Sequence, residues 1–264
     1  MIIGVVGVGY VGGSTAKSLS KYHKIILYDK FKEPYTSPDK LVNAEVIFIC
    51  VPTPMSKSGE TDYSAIYNSI ETLEDIFYDT RLKNRPLIII RSTTVPGTTF
   101  KLTNKYSFNF AYNPEFLRQN HALKDMKKTN RIIIGASRDK DFKIIENIYK
   151  PLLPDAKYIK VNIKTAEMIK YSANVILTGQ IAMANEIYQI CEASKIDYNK
   201  VKNAILLDDR IGKNINVPGP DGKLGFGWAC FPKDLNALIY FSRENNYRPY
   251  LLEEIWRLNQ KIRK

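Results

Sequence analysis

Gly7-Val-Gly-Tyr-Val-Gly12 follows the apolar run Met1–Val6 and opens a helix-patterned stretch that lasts to about Tyr22. A second apolar run begins at Lys24 and ends in Asp29, twenty residues after Gly9. Strand, glycine turn, helix, strand and terminal acid together make a dinucleotide-binding fingerprint. The glycines act differently. Gly7 makes the tight turn, Gly9 admits a pyrophosphate to the backbone, and Gly12 lets helix and strand pack closely. The helix start presents backbone N–H groups to the phosphates, with Tyr10 and Val11 in its first turn. Asp29 is placed to accept from the ribose hydroxyls and repels a 2′-phosphate, so the expected cofactor is NAD rather than NADP.

The fingerprint demands a wound α/β sheet around it, and the chain supplies one. Only fifteen residues separate Asp29 from the next apolar strand, Glu45 to Val51, and Pro34 and Pro38 break them. That is too short for a helix–strand–helix excursion, so this half of the sheet is expected to be trimmed. Val51-Pro-Thr-Pro54 ends the strand, with Thr53 at the carboxyl edge where ligands sit in such folds. Asp62 to about Phe77 has helical spacing. Pro86–Ile90, Phe108–Tyr112, Arg131–Gly135 and Lys157–Val161 read as further strands, and Lys140–Lys150 as a helix. From Thr165 to Ser194 the pattern is one long helix. Three helices are expected beyond it: from Asp197 to about Leu207, from 235 to 246, and from 249 to the end. The fold class is therefore α/β. Residues 1–162 form a Rossmann-like, doubly wound, mainly parallel sheet, and residues 163–264 an all-helical domain joined to it by one long helix.

Composition narrows the remaining choices. The 264 residues include three cysteines, Cys50, Cys191 and Cys230. So odd and sparse a count argues against a disulfide framework and fits a reducing, cytoplasmic setting. No apolar run approaches ~20 residues and no signal peptide is evident. The net charge is +12, but the basic residues are scattered. Anionic nucleotide ligands account for such a field better than nucleic acid does. No metal-ligating cluster is evident, and no nucleic-acid or membrane partner is expected.

Gly225-Phe-Gly-Trp-Ala-Cys-Phe-Pro-Lys-Asp234 carries the reactive chemistry. Only the thiolate of a cysteine is a good nucleophile. Asp234 is expected to N-cap the helix from about 235, which puts Cys230 just ahead of a helix start that favours a negative sulfur. A buried structural cysteine in a Gly/Pro turn is the alternative for the loop taken alone.

This loop resembles the catalytic loop of the UDP-glucose/GDP-mannose dehydrogenase family. Those enzymes oxidise a sugar alcohol to an acid in two NAD-dependent steps through a cysteine. Other motifs carry the same likeness. Ser92-Thr-Thr-Val-Pro-Gly97 resembles the family's Ser-Thr-Val-Pro, so Thr94 matches the threonine that holds cofactor and a water. In Asn113-Pro-Glu-Phe-Leu117, Glu115 matches the acid beside the reacting carbon, with Phe116 and Leu117 against the sugar. Lys170 and Asn174, one helical turn apart, match the pair around that carbon, where an ammonium stabilises a developing oxyanion. The resemblance also implies that Asp234 orients Lys170 or positions water, and that Lys233 touches the cofactor. It further implies that Phe226 and Gly227 line the sugar pocket and that Arg210 completes the site of a second subunit. The chain departs from the pattern twice. Trp228 stands where the family usually has glycine. Gln119, beside the nicotinamide, replaces a glutamate and cannot ionise.

The expected activity is NAD-dependent oxidation of a nucleotide sugar, UDP-glucose first, by a homodimer. The resemblance covers nearly all of the chain but only about the first two-thirds of the family architecture. A partner supplying the remaining nucleotide-binding domain is therefore also expected. Three alternatives stay open: another nucleotide sugar such as GDP-mannose or a UDP-N-acetylhexosamine; a hydroxyacid-type dehydrogenase without a thioester; and an NAD-binding chain inactive without its partner domain.

Overall fold

The computed structural model describes residues 1–78, 85–118, 121–227 and 230–263. Two compact units emerge: Met1–Pro54 with Asp62–Lys170, and Met55–Thr61 with Tyr171–Lys264.

The first unit is a seven-stranded sheet. Its strands are β1 (Ile2–Val6), β2 (Lys24–Tyr28), β3 (Val46–Ile49), β4 (Leu87–Ile90), β5 (Asn109–Tyr112), β6 (Arg131–Ala136) and β7 (Lys157–Val161). They lie in the order β2-β1-β3-β4-β5-β6-β7. All neighbours are parallel except β5 and β6. Between β2 and β3 there is only a short 3-10 turn, Asp39–Asn43. Fifteen residues can cross back over β1 but cannot build another strand. The sheet thus reverses direction of growth at β1 and β3, and the glycine loop and Thr53 follow those two strands. In open α/β sheets such a switch point is where ligands bind.

The strands are nearly continuous apolar runs because helices cover both faces. Ile47, Ile49, Ile88, Ile90, Phe110 and Tyr112 face one layer, with residues of α2 (Ser64–Ile76) and α3 (Thr98–Lys105). Val46, Phe48, Leu87, Ile89 and Ala111 face the other, with residues of α1 (Tyr10–Leu19), α4 (Ala122–Lys128) and α5 (Asp139–Tyr149). The alternation is the period of two expected of a strand.

Helix α6 runs from Ile163 to Ala193. Its first two turns pack with the first unit. There, a Cβ on Gly135 of β6 would lie 2.8 Å from Ala166 Cβ and 2.9 Å from Ile163 Cα, so the glycine is what lets the helix approach the strand. The second unit takes the rest of α6 with α7 (Tyr198–Ile205), α8 (Phe231–Glu244) and α9 (Tyr250–Ile262). Phe226, Leu235, Ile239 and Val175 form one of its apolar clusters, and Cys191, Tyr198, Ile215 and Val217 another. No described helix is long and apolar enough to cross a membrane.

Helix α8 starts four residues earlier than its sequence pattern suggests. Cys230, not Asp234, is the N-cap, and the Asp234 N–H donates to the Cys230 carbonyl at 2.8 Å. The reason is Pro232, which is favoured in a first turn because its missing N–H needs no partner there. Asp234 instead lies buried inside that first turn.

Candidate active site

The glycine turn between β1 and α1 is tight at two of its three glycines and open at the third. Gly7 has φ +88°, and a Cβ there would sit 2.8 Å from the Cys50 carbonyl oxygen. A Cβ on Gly12 would lie 1.9 Å from the Gly7 carbonyl oxygen, whereas one on Gly9 would meet nothing within 4 Å. The open space at Gly9, at the N-cap of α1, fits a pyrophosphate held by backbone N–H groups. Asp29 accepts from the N–H groups of Val8 at 2.8 Å and Phe31 at 3.0 Å. Each carboxylate oxygen keeps a second lone pair for a ribose hydroxyl. Lys32, which carries no motif signal in the sequence, donates to the Val8 carbonyl at 3.1 Å, so both backbone groups of Val8 are held. The Tyr10 hydroxyl donates to the Arg118 carbonyl. Val11 packs against the apolar layer under α1. The Thr53 hydroxyl donates to the Thr93 carbonyl at 3.0 Å, leaving its oxygen only as an acceptor.

Glu115 and Lys170 form a buried ion pair in the first unit. The ammonium lies 2.6 Å from the Glu115 carbonyl oxygen and 3.1 Å from its carboxylate. The other carboxylate oxygen accepts from the Leu117 N–H at 2.6 Å. Burial alone would raise the Glu115 carboxyl. The Lys170 charge, the Leu117 N–H and the Arg91 charge outweigh it and hold the group below the usual carboxylate range. Lys170 also stands 5.4 Å from the centre of the Phe116 ring, and Arg131 5.0 Å from it. The acid bonded to Lys170 is thus Glu115.

Thr94 departs from expectation. It is fully buried, and its hydroxyl donates to Glu167 at 3.0 Å, so its hydrogen is not left for a water. Glu167 also accepts from the N–H of Gly97 at 2.5 Å, and from the N–H and hydroxyl of Thr99 at 2.9 and 2.7 Å. It therefore caps α3 from a different helix. Burial raises its carboxyl, and the four donors offset this only in part. Nothing in the local sequence marks this role.

In the second unit, Asp234 accepts from Asn174 at 2.5 Å and from Lys233 at 2.6 Å. Cys230 is exposed at the start of α8, while Cys50 and Cys191 are buried. Burial pushes the Cys50 thiol up to about 12. Phe226 is not a pocket wall: its ring is buried in the core, and its N–H and carbonyl pair with Asn259 at 2.7 and 3.0 Å. Gly227 makes room for a protein group, since a Cβ there would fall 2.0 Å from the Arg263 guanidinium. The exposed Arg210 side chain forks onto Asp208. Gln119 and Trp228 lie outside the described residues. Among the described residues, no group of three or more His, Cys, Asp or Glu could hold a metal ion.

Fold and residues together define a dinucleotide-binding α/β protein followed by a helical unit with an exposed cysteine at a helix start. Comparison with known proteins agrees. Residues 30–153 match the NAD binding domain of the UDP-glucose/GDP-mannose dehydrogenase family, and residues 164–261 match its central domain. The chain belongs to that family. It is 36% identical over 235 residues to the UDP-glucose 6-dehydrogenase TuaD of Bacillus subtilis, covering 86% of this chain and 48% of that protein. It is 35% identical over 249 residues to the UDP-glucose 6-dehydrogenase of Rickettsia bellii, covering 92% and 55%. A solved UDP-glucose dehydrogenase from Pyrobaculum islandicum superimposes with a TM-score of 0.85 at 28% identity, over 98% of this chain and 68% of that one. The chain spans about half the length of the curated relatives it matches.

Proposed function

We propose that this chain carries the catalytic machinery of an NAD-dependent nucleotide-sugar dehydrogenase that oxidises UDP-glucose to UDP-glucuronate. The observation that carries the reading is the buried Lys170–Glu115 pair. A buried ion pair is a costly device for mere stability, and this one offers an ammonium and a carboxylate to one reacting centre. The substrate is chosen from the names of the relatives at 35–36% identity.

Gly7, Gly9, Gly12, Asp29 and Lys32 would hold NAD, which when bound supplies the hydride acceptor. The chain's own groups do the rest. The primary alcohol gives up its hydroxyl proton and a hydride, becoming an aldehyde. The Cys230 thiolate adds to the carbonyl carbon and the oxygen takes a proton, giving a thiohemiacetal. Loss of the second hydride and the hydroxyl proton leaves a thioester on Cys230. Water attacks the acyl carbon, the C–S bond breaks, and the sulfur leaves with the electron pair. The net change converts alcohol, water and two NAD⁺ into acid, two NADH and two protons. Lys170 and Asn174 donate to the oxyanions. Glu115 accepts the proton of the water once Lys170 has turned to the substrate. Asp234 holds the Asn174 amide.

The second unit is read as a dimerisation surface. Ile176, Met183 and Ile190 are 63%, 63% and 56% exposed along α6. Their seven-residue spacing makes one stripe, which suits the same stripe of a second copy. Arg210 would act in the partner's site.

The deciding assay counts NADH formed per sugar across UDP-glucose, GDP-mannose and UDP-N-acetylhexosamines. It is run on the chain alone and with the separately expressed remainder of a full-length relative. Two NADH per UDP-glucose supports the reading. No turnover in either arm, with NAD still bound, would leave an NAD-binding protein and defeat it.

A further inference from the structure

Arg91, at the end of β4, is a cation only 4% exposed. Among the described residues its hydrogen-bond acceptors are all uncharged: the Thr15 hydroxyl at 3.1 Å, the Asn113 carbonyl and side-chain oxygens at 3.2 and 2.6 Å, and the Tyr149 hydroxyl at 3.1 Å. A buried charge without a bonded counter-ion is expensive, so its placement calls for an explanation. The bonds continue at both ends. Thr15 donates to the Val11 carbonyl at 2.8 Å, in the first turn of the cofactor helix. Asn113 also accepts from the Tyr149 hydroxyl at 2.7 Å and donates to the Ile133 carbonyl at 2.8 Å. Every polar atom of the Asn113 side chain is thereby occupied, two residues before Glu115.

We propose that Arg91 is the positioning residue of the acid loop: its buried guanidinium ties the cofactor helix, through Thr15, to the segment Asn113-Pro114-Glu115. A planar fork with several donors can hold both elements at once, and a compact ammonium cannot. The inference rests on the reading of Glu115 as a reacting acid. The charged groups acting on Glu115 come from two elements. Lys170 contributes from α6 and Arg91 from the end of β4. Cys50, after β3, is held uncharged at neutral pH by burial.

The test follows the Glu115 carboxyl by ¹³C NMR titration of the full chain, with Glu115→Gln assigning the signal. The parent, Arg91→Met and Arg91→Lys are compared, and Arg91→Gln replaces the methionine variant should that one not fold. The Glu115 midpoint should move upward in the neutral variants and return most of the way in Arg91→Lys. A midpoint unmoved in the neutral variants overturns the proposal. Where NADH formation is measurable, Arg91→Lys should lower kcat about tenfold with a smaller change in KM; parent kcat in that variant overturns the positioning role. A moved midpoint without turnover in any protein counts against the dehydrogenase reading only. Normal turnover with an unmoved midpoint counts against the Arg91 inference only.

Discussion

Lys170 donates to both the backbone carbonyl and the carboxylate of Glu115, at 2.6 and 3.1 Å, across 55 residues of sequence. The pair locks the first turns of α6 to the loop after β5. Both side chains are almost fully buried, 5% and 10% exposed. Removing one partner therefore strands a charge. Lys170→Met is expected to destabilise the fold by about 3 kcal/mol or more. The double variant Lys170→Met, Glu115→Gln should recover part of that loss. Urea unfolding of the three proteins reads it, and a double variant no better than the single one contradicts it.

Two buried glutamates should tilt the acid limb of stability in opposite directions. Glu115 has a depressed carboxyl, so the unfolded chain binds its proton first. Its contribution is present above the ordinary carboxylate value of 4.5 and is lost as pH falls through the lower folded value. Glu167 has a raised carboxyl, so the folded state binds the proton first, and stability declines as pH rises through the raised value. Glu115→Gln should flatten the drop on acidification, and Glu167→Gln should steepen it. Comparing slopes of unfolding free energy against pH, rather than absolute values, separates this effect from the lost hydrogen bonds. Equal slopes in both variants would reject it.

Native alkylation should distinguish the three thiols. Cys230 is exposed, whereas Cys50 and Cys191 are buried. Iodoacetamide at neutral pH should modify Cys230 alone, as read by peptide mass spectrometry. The reagent should reach Cys50 only after unfolding, because its thiol is pushed up to about 12 and the thiolate is the reactive form. Early labelling of Cys50 would mean that the layer around β3 opens readily. Cys230→Ser should abolish the second oxidation under the proposed function, and two NADH per sugar from that variant would make the cysteine structural.

Much of this arrangement is legible in the sequence, and the exceptions share a cause. The glycine loop, the apolar strands and α6 announce themselves because each is a local pattern with its own period. The trimmed edge of the sheet is equally local, a matter of counting fifteen residues between Asp29 and the next strand. Arg91 and Glu167 announce nothing. Arg91 meets Thr15 across 76 residues and Glu167 meets Thr94 across 73, and neither distance leaves a periodic trace. The start of α8 is misleading in sequence because Asp234 is a good N-cap residue in isolation. Its carboxylate is instead taken by Asn174, 60 residues away. Phe226 illustrates the same limit, since a loop phenylalanine between glycines has no local sign that the core will claim it.

The exposed stripe on α6 predicts a two-fold assembly that single charges should break. Met183→Glu places a carboxylate in the middle of the stripe, where the side chain is already 63% exposed and the monomer fold should tolerate it. Sedimentation velocity at micromolar concentration should show a dimer for the parent and a monomer for the variant, with helix content unchanged. A parent chain that is already monomeric removes both the dimer and the role given to Arg210.

Gly9 and Gly12 stand three residues apart but should fail for different reasons. A methyl on Gly12 would lie 1.9 Å from the Gly7 carbonyl oxygen, which is backbone and cannot swing aside. Gly12→Ala must push α1 off the strand, at a cost of about 1–3 kcal/mol, and it should lower thermal stability as well as NAD affinity. A methyl on Gly9 meets nothing within 4 Å, and the residue has φ −82°, which any amino acid adopts. Gly9→Ala should therefore fold within about 0.5 kcal/mol of the parent. Its methyl would nonetheless project where the pyrophosphate must approach the backbone, so NAD affinity should drop about tenfold or more. Thermal unfolding and calorimetric titration with NAD on both variants decide the matter. If Gly9→Ala binds NAD as tightly as the parent, the dinucleotide does not lie over this glycine. The cofactor would then have to be sought elsewhere along the carboxyl edge of the sheet.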